Sequence, residues 1–535
     1  MPVLTAIDLL GIQRFVFGSN RLRDVIGASL LVARACSSVG DGPVAQHPVD
    51  HRLMAAGGNA LLRFDDLAPA RDFAARYTRW LNDHTPGLEA VVVHRLYGEG
   101  ELGRAIRALQ VELARTKLER LPTAPMAGLS VTETCHETGL PAVHVARLGG
   151  QRAPVSRVTQ AVRAAWKGDR DGSPWTRSLH GLAARARVTF ARPRGLDDLG
   201  RSHGDTSLLA VVHIDGNRIG RGISAWLDAR IGEDCRDADL WTRFGALSRG
   251  LDVLADGAMQ RVMDRVARSL VTREDEAGEL ITSVVSKMPD LAFTLRPATV
   301  DDELGDEGGV CLPVWPVLVG GDDLTFVCDG RLALDLTAAA LAAFEEATVP
   351  ELGRVTASAG VAMVRSHAPF SRAYDLAERL CQEAKRRWGE SEQSQRGCAL
   401  DWHLGEVRPG ESVSSLRKRQ YHGGALTARP MLLGDVATPG TWRWLDAALL
   451  SPKEAHSFRG PRWAERRNKV KALRERLRDG DAAVAQTLAA WQRVDGDLSL
   501  PAGAHAGTGT ALLDAIELMD IHAPLDPREG GEEGP

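Results

Sequence analysis

Residues 317–327 read Val-Leu-Val-Gly-Gly-Asp-Asp-Leu-Thr-Phe-Val, which is an apolar run, a Gly-Gly-Asp-Asp turn and a second apolar run. This pattern predicts a β-hairpin with the carboxylates of Asp322 and Asp323 at its tip. The paired glycines Gly320 and Gly321 permit backbone angles closed to other residues and leave room for a ligand. Adjacent carboxylates are costly unless water or a cation compensates their charges, and a divalent metal ion is their natural partner. Gly-Gly followed by an acid is also ordinary hairpin chemistry, so the turn alone does not identify a site.

A second stretch, about a hundred residues upstream, adds a third carboxylate. Residues 208–214 form an apolar run that ends on Asp215, as expected of a strand buried on both faces. If the hairpin pairs beside this strand, the carboxylates of Asp215, Asp322 and Asp323 converge. Oxygen-rich sites of this kind suit Mg²⁺ or Mn²⁺, bound through carboxylates and substrate phosphates. The chemistry implied is two-metal phosphoryl transfer with these three aspartates as catalytic residues.

The order of the motifs resembles a known superfamily. Ile-Asp-Gly-Asn at 214–217, Gly-Gly-Asp-Asp at 320–323, Ala-Gly-Val-Ala at 359–362 and Ala-Lys at 384–385 follow one another as strand, hairpin, strand and helix. This arrangement resembles the palm polymerase and cyclase superfamily, and within it the large polymerase-like subunit of type III CRISPR effector complexes. The resemblance covers most of the chain. It implies a second palm domain that makes cyclic oligoadenylates from ATP.

The same resemblance implies a ligand set for the metal ions. Asp215 and Asp322 are expected to ligate two divalent ions, Mg²⁺ or Mn²⁺, with the carbonyl of Gly216 as a further ligand and Asp323 supporting the pair. Relatives often read Asp-Gly-Asp-Asn at the first motif, whereas residues 215–218 here read Asp-Gly-Asn-Arg. This difference removes a second acid but neither principal metal ligand.

The resemblance also implies a nucleotide-binding set. The phosphates are expected to approach the glycines of the turn, and a lysine in this Ala-Lys setting is expected to contact the triphosphate. A lysine near a helix end is also favoured by the helix dipole alone, so its position does not prove that role. The expected nucleotide-binding residues are Gly320, Gly321, Asn217 and Lys385.

The composition of the chain bears on its class. At 535 residues and 44% hydrophobic content it can hold three or four domains with ordinary cores. A net charge of -4 gives no global electrostatic case for nucleic-acid binding. No apolar run approaches the length of a membrane span and no signal pattern is present, so we expect a cytoplasmic protein without membrane contact.

The seven cysteines are scattered without CxxC spacing and are expected to be reduced. Cys135 and His136 lie where relatives have a zinc-binding insertion. Two ligands are too few for a structural zinc site, so no zinc is expected. The sequence contains no His-Asp dipeptide. The chain is therefore expected to lack the HD nuclease domain of fuller relatives, which favours a reduced or standalone relative.

An internal repeat is predicted within the first hundred residues, which show the order βαββαβ. Laying Ala6-Ile7-Asp8 on residues 213–215 places Gly57-Gly58-Asn59-Ala60 opposite the Gly-Gly-Asp-Asp turn. In this alignment the hairpin acids become Asn59 and Ala60, while Asp8 persists. The first copy should therefore be unable to hold metal ions in the same way.

These patterns predict an α+β protein with two ferredoxin-like palm domains, a connector between them and a C-terminal helical domain. A dense basic stretch at residues 462–478 contains interspersed glutamates, which favours a solvated helical face over an RNA groove. The four expected regions are a degenerate first palm domain at 1–122, a connector at 123–204 that resembles a zinc insertion without its ligands, the catalytic palm domain at 205–407, and the helical domain at 408–535.

Other functions share these signals. A catalytically silent nucleotide-binding subunit, or a scaffold of an RNA-guided complex, would have the same fold. A cyclic dinucleotide synthase would use the same metals with GTP, although such enzymes end the turn motif in Glu-Phe, where this chain has Asp323 and Leu324. The expected partners are ATP as substrate and, within the wider family, CRISPR effector subunits with guide or target RNA. Homo-oligomer formation is left open.

Overall fold

A computed structural model of the chain shows a mixed α+β fold dominated by one four-stranded and one six-stranded sheet. The predicted architecture of two palm domains with additional helices is confirmed. The structure describes residues 1–38, 40–121, 131–148, 151–168, 182, 188–193, 195–200, 208–233, 235–295, 297, 309–391, 397–408, 410–422, 426–496, 498–501, 503–504 and 511–527.

The four-stranded sheet is formed by the first hundred residues. Its strand order is β2-β3-β1-β4, and every neighbouring pair is antiparallel, which is the ferredoxin-like arrangement. The carboxylate of Asp66 accepts a hydrogen bond from the backbone N–H of Leu67 and caps the third helix. The elements are β1 (Val3–Leu10), α1 (Ile12–Val16), α2 (Leu22–Cys36), a 3₁₀ turn (Val49–His51), β2 (Arg52–Ala56), β3 (Asn59–Phe64), α3 (Leu67–His84), β4 (Glu89–Leu96) and α4 (Leu102–Glu119).

A connector follows the first sheet and packs through one helix against a helix of the first palm. Its elements are β5 (His144–Leu148), β6 (Gln151–Val155), α5 (Arg157–Gly168), β7 (Phe190–Ala191) and α6 (Asp197–Gly200). Helix α5 packs against α2, where a side chain at Gly27 would overlap the carbonyl of Val162. Arg163 of α5 forms an ion pair of 3.1 Å with the buried Asp24 of α2, which fixes this contact electrostatically.

The six-stranded sheet has the order β13-β14-β8-β17-β18-β19 and carries the Gly-Gly-Asp-Asp hairpin. Residues 209–214 of its strand β8 are all buried, as predicted from the apolar run. Its elements and insertions are β8 (Leu208–Gly216), α7 (Ile219–Gly232), α8 (Asp237–Arg268), β9 (Leu270–Glu274), β10 (Leu280–Val284), a 3₁₀ turn (Pro289–Leu291), β11 (Phe293–Thr294), β12 (Val310–Cys311), β13 (Val314–Gly320), β14 (Asp323–Asp329), α9 (Ala333–Glu346), β15 (Thr348–Val349), β16 (Gly353–Arg354), β17 (Ala357–Arg365), α10 (Phe370–Glu390), β18 (Ala399–Leu404), α11 (Val413–Gln420) and β19 (Met431–Leu432).

Helix α10 lies across one face of this sheet because the sequence leaves space for it. A side chain at Gly360 of β17 would overlap the carbonyl of Ala377 and the amide of Cys381. The thiol of Cys381 donates to the carbonyl of Ser358 at 3.2 Å. This close packing carries Lys385, one turn further along α10, towards the end of β8.

The C-terminal region is largely helical and joins the palm sheet through β19, which pairs with β18. A charged cluster links the two parts: Arg429 pairs with Asp514 at 2.9 Å, and both side chains are fully buried. Arg429 also donates to the backbone carbonyl of Trp402 in β18. The remaining elements are α12 (Trp442–Trp444), a π-helix (Leu445–Leu449), α13 (Arg467–Arg478), α14 (Asp481–Gln492) and α15 (Ala511–Leu518).

The basic stretch at 462–478 lies mainly on α13 and is engaged in ion pairs with neighbouring acids. Arg467 pairs with Asp520, and both side chains are about half exposed. Lys469 pairs with Asp495. Pairing of this kind fits the predicted solvated helical face. Among the described helices, none combines the length and the apolar content needed to cross a membrane.

Candidate active site

The three predicted catalytic aspartates lie together at one end of the six-stranded sheet. Gly320 pairs with Asp323 at the close of the hairpin, so Gly321 and Asp322 form its two-residue turn. In the next pairing, Asp323 lies directly opposite Asp215 of β8. Gly321 has a φ of 63°, the left-handed conformation that a glycine adopts without strain. The hairpin thus brings the carboxylates of Asp322, in the turn, and Asp323, in the strand, beside that of Asp215.

Gly216 holds Asp322 beside Asp215. Its amide donates to the carbonyl of Asp322 at 3.2 Å. A side chain at Gly216 would place its Cβ 2.8 Å from the Cβ of Asp322 and 3.0 Å from its Oδ2. The absence of a side chain at Gly216 therefore makes room for the Asp322 carboxylate.

Lys385 contacts both Asp215 and Gly216. Its Nζ pairs with a carboxylate oxygen of Asp215 and donates to the carbonyl of Gly216 at 3.2 Å. The lysine therefore neutralises part of the charge at the acidic end of the sheet. It also contacts the carbonyl predicted as a metal ligand.

The other predicted nucleotide-binding residues differ in their surroundings. The side-chain amide of Asn217 already has two hydrogen-bond partners. It donates to Thr356 Oγ1, just before β17, at 3.1 Å and accepts from Ser358 Oγ, in β17, at 2.8 Å. Gly320 faces the first palm. A side chain at Gly321 would meet nothing within 4 Å, so the open space for a ligand lies beside this glycine.

His213, which was not among the predicted site residues, lies beside the carboxylates. Ligand atoms of His213, Asp215 and Asp323 lie within 4.8 Å of one another. His213 stands two residues before Asp215, so strand alternation places both side chains on the same face. This two-residue spacing is visible in the sequence and could have identified His213 as part of the site. The Nδ1 of His213 lies 3.0 Å from Thr325 Oγ1, on the strand opposite, and this contact orients the ring.

The cluster carries more negative charge than its own basic groups neutralise. Burial, reinforced by the charge of Asp215, raises the pKa of Asp322. Burial and the charges of Asp215 and Asp322 raise the pKa of Asp323 to about 8, although part of its side chain is exposed. Burial also lowers the pKa of His213 to about 4, so the imidazole is neutral and can donate a lone pair. Crowded carboxylates beside a neutral imidazole fit a divalent cation.

We expect a divalent cation bound at this site to raise the melting temperature of the protein by an amount that depends on pH. The raised pKa of Asp323 means that, without metal, the folded state holds a proton that the unfolded state loses. Stability therefore falls as the pH rises from about 4 to about 8. Because Mg²⁺ competes with that proton, its stabilising effect should be larger near pH 8 than two units lower, by roughly 3 °C in melting temperature. Asp323→Asn should reduce this pH dependence to the part that comes from the raised pKa of Asp322. An equal Mg²⁺ effect in the variant would place the cation elsewhere.

The first palm contains a partial copy of this site, and its register corrects the sequence alignment. Asp8 lies opposite Asn59, as Asp215 lies opposite Asp323. The amide of Leu9 donates to the carbonyl of Gly58 at 2.9 Å, as that of Gly216 donates to Asp322. The positions of Asp322 and Asp323 are therefore taken by Gly58 and Asn59. The alignment with Asn59 and Ala60 was wrong by one residue, because two adjacent glycines give two plausible turn positions.

The first palm retains the basic partner as well as the aspartate. Lys117, near the end of α4, pairs with Asp8. Helix α4 follows β4 and α10 follows β17, and both strands pair directly with the strand that carries the aspartate. The Asp8–Lys117 pair thus matches the Asp215–Lys385 pair. What the first palm lacks is the pair of hairpin carboxylates.

The two hairpins meet at their tips. A side chain at Gly320 would place its Cβ 3.0 Å from the backbone nitrogen of Gly57. Further contacts hold the palms together beside the site. The ring of Phe17 stacks on that of Tyr374 with centroids 3.8 Å apart, and Ser29 of α2 donates to the carbonyl of Val317 in β13. The acidic cluster therefore lies at the junction of the two palm domains.

Comparisons with known proteins agree with this architecture. Residues 208–392 match the family model described as Cas10/Cmr2, second palm domain. The crystal structure of Csm1 in T. onnurineus is similar over 97% of this chain and 70% of that chain, with 15% sequence identity and a TM-score of 0.54. A crystal structure of a Csm1-Csm4 cassette in complex with cA3 is similar over 97% of this chain and 70% of that chain, with 13% identity and a TM-score of 0.50. No curated protein matches the sequence.

At such low identity the solved structures show a shared fold, and the family match rests on the segment that contains all three aspartates. Residues 208–392 are thus similar to the second palm domain of the Cas10/Cmr2 family, and the chain as a whole shares the fold of the solved Csm1 structure.

Proposed function

We propose that this protein is a metal-dependent nucleotidyltransferase that makes cyclic oligoadenylates, or related signalling nucleotides, from ATP in CRISPR-type antiviral defence. The observation that carries the proposal is the convergence of three carboxylates with Lys385 at one end of a palm sheet. The match of this segment to a Cas10/Cmr2 palm domain supports it. A protein of the same fold, crystallised in complex with cA3, supports an adenylate product.

In the proposed reaction, the 3′ or 2′ hydroxyl of one nucleotide attacks the α-phosphate of another. A phosphodiester bond forms, and pyrophosphate and a proton are released. Two bound divalent ions, Mg²⁺ or Mn²⁺, would lower the pKa of the attacking hydroxyl and neutralise charge on the pyrophosphate. The remaining contribution of the protein is positioning and electrostatic stabilisation.

The chain's own residues have distinct parts in this scheme. Asp215 and Asp322 would hold the divalent ions, with the carbonyl of Gly216 as a further ligand and Asp323, opposite Asp215, supporting the pair. Lys385 balances the charge of Asp215 before nucleotide binds, and its flexible side chain can then turn to the triphosphate. The open space beside Gly321 lets phosphates approach the turn backbone.

The proposal is tested by mass spectrometry of products after incubation of the purified chain with each of the four NTPs and Mg²⁺ or Mn²⁺. We expect oligoadenylates from ATP, and none from a variant carrying Asp322→Ala and Asp323→Ala. Equal product from the variant would place the chemistry outside this turn. Product from GTP alone would indicate a cyclic dinucleotide synthase instead.

A catalytically silent nucleotide-binding subunit is the second candidate, and one observation favours it. Relatives often carry an acid where this chain has Asn217, and the Asn217 amide is engaged by Thr356 and Ser358. Such a subunit would bind ATP with Mg²⁺ and form no product, also when target RNA and effector subunits are added. In either form we propose that the protein acts in the cytoplasm with CRISPR effector subunits.

A further inference from the structure

Two neighbouring strands of the second palm place four polar side chains beside one another on one face of the sheet. On β8, His213 and Asp215 are two residues apart, so strand alternation puts both on the same face. On β14, Thr325 lies opposite His213, and Asp323 lies opposite Asp215. A histidine–threonine pair therefore lies next to a pair of carboxylates.

The imidazole and the two carboxylates are close enough to share one ion. One ligand atom from each of His213, Asp215 and Asp323 lies within 4.8 Å of the others. Ligand atoms bonded to one ion at about 2.1 Å stand up to about 4 Å apart, so small side-chain rotations are enough to gather all three. Lys385 pairs with Oδ2 of Asp215, so an ion can bind the other oxygen of that carboxylate without displacing the lysine.

The imidazole of His213 is held through one nitrogen. Its Nδ1 lies 3.0 Å from Thr325 Oγ1, and among the described residues this is the only hydrogen-bond partner of the ring. The side chain is buried, and its ring meets that of Tyr374 edge-on with centroids 5.6 Å apart. A metal-bound histidine normally donates its other ring N–H to an acceptor. The surroundings of His213 fit this arrangement, with Nδ1–H donating to the hydroxyl of Thr325 and Nε2 left to bind an ion.

We propose that His213 is a nitrogen ligand to one of the divalent ions, and that this nitrogen makes the site prefer Mn²⁺ and later first-row transition ions over Mg²⁺. Mg²⁺ prefers oxygen ligands, whereas imidazole suits the transition ions. In this arrangement Asp323 supports the pair of Asp215 and Asp322 by sharing the ion with His213. The role rests on the proposed function, because the ion is the one that the proposed reaction uses. Metal binding measures it separately from product formation.

The first measurement is electron spin-echo envelope modulation of Mn²⁺ bound to the full chain, which detects nitrogen nuclei bonded to the ion. We expect nitrogen modulation in wild type and its loss in His213→Gln, whose side-chain oxygen can still bind a metal. The first palm supplies a matched control, because His94 Nδ1 lies 2.9 Å from Thr5 Oγ1 across paired strands in a sheet without hairpin acids. His94→Gln should keep the modulation. Its absence in wild type, or its survival in His213→Gln, would overturn the proposal.

The second measurement is the ratio of the Mg²⁺ and Mn²⁺ dissociation constants, from titrations followed by thermal shift. His213→Gln should reduce the preference for Mn²⁺ about tenfold or more, and Thr325→Val, which removes the acceptor of Nδ1–H, should weaken Mn²⁺ binding about tenfold. His94→Gln should keep the wild-type ratio. An unchanged ratio in His213→Gln would contradict the ligand role. If wild type shows nitrogen modulation but forms no product from any NTP, the proposed function fails and His213 remains a metal ligand.

Discussion

Replacing Asp215 with asparagine is expected to reduce product formation at least a hundredfold while the fold persists. Asp215 lies opposite Asp323 and pairs with Lys385, so its charge is shared by both halves of the acidic cluster. The substitution keeps the shape of the side chain and removes a carboxylate that would hold the divalent ions, which stabilise the charge of the transition state. Loss of one group that contributes to such electrostatic stabilisation costs about 10²–10³ in turnover. Product formation is measured by mass spectrometry at fixed ATP and Mg²⁺, and the fold by circular dichroism.

The first palm provides the control for this variant. Asp8 occupies the matching place and pairs with Lys117, but it faces Asn59 where Asp215 faces Asp323. Asp8→Asn removes the same charge from the same kind of strand end. We expect its turnover to stay within about threefold of wild type, a change of less than about 1 kcal/mol. If both substitutions were equally damaging, the two palms would share the chemistry and the first would not be degenerate.

Replacing Arg429 with methionine is expected to lower the free energy of unfolding by about 3–5 kcal/mol. Breaking a buried ion pair by removal of one partner leaves an uncompensated charge in the interior, which is why the cost is large. Arg429 and Asp514 are both fully buried, and the arginine also contacts Glu517 at 3.3 Å. Its guanidinium lies over the rings of Trp402 and Tyr421, so packing is lost as well. Urea denaturation followed by circular dichroism measures the change.

An exposed ion pair in the same region serves as the reference. Arg467 pairs with Asp520, and both side chains are about half exposed. Arg467→Met should cost less than about 1 kcal/mol because water and salt already screen the charges. Similar losses in the two variants would mean that burial does not set the strength of the Arg429 pair.

The sequence predicted the convergence of the three aspartates because two local rules act together. An apolar run that ends on an acid marks the end of a buried strand, and a Gly-Gly turn marks the tip of a hairpin. The register of the first palm was predicted wrongly by one residue. With Gly57 and Gly58 adjacent, the turn residues follow only from the pairing of Ala56 with Asn59, and the register with Asp8 only from the pairing of Asp8 with Asn59.

Other parts of the site depend on contacts between distant segments, which local patterns do not encode. The pairing of Lys385 with Asp215 depends on how closely α10 approaches the sheet, which Gly360 permits. The sixth strand, Met431–Leu432, is too short for a periodic signal, so residues beyond 407 were not expected to extend the palm sheet.

The meeting of Gly57 and Gly320 at the hairpin tips has a mechanical consequence. Two loops that touch through backbone have no side chain at the contact to bend or rotate, so displacement of one tip displaces the other. The Gly-Gly-Asp-Asp hairpin is therefore supported by a domain that lacks its own hairpin acids. A partner that shifts the first palm would move the carboxylates of this hairpin as well.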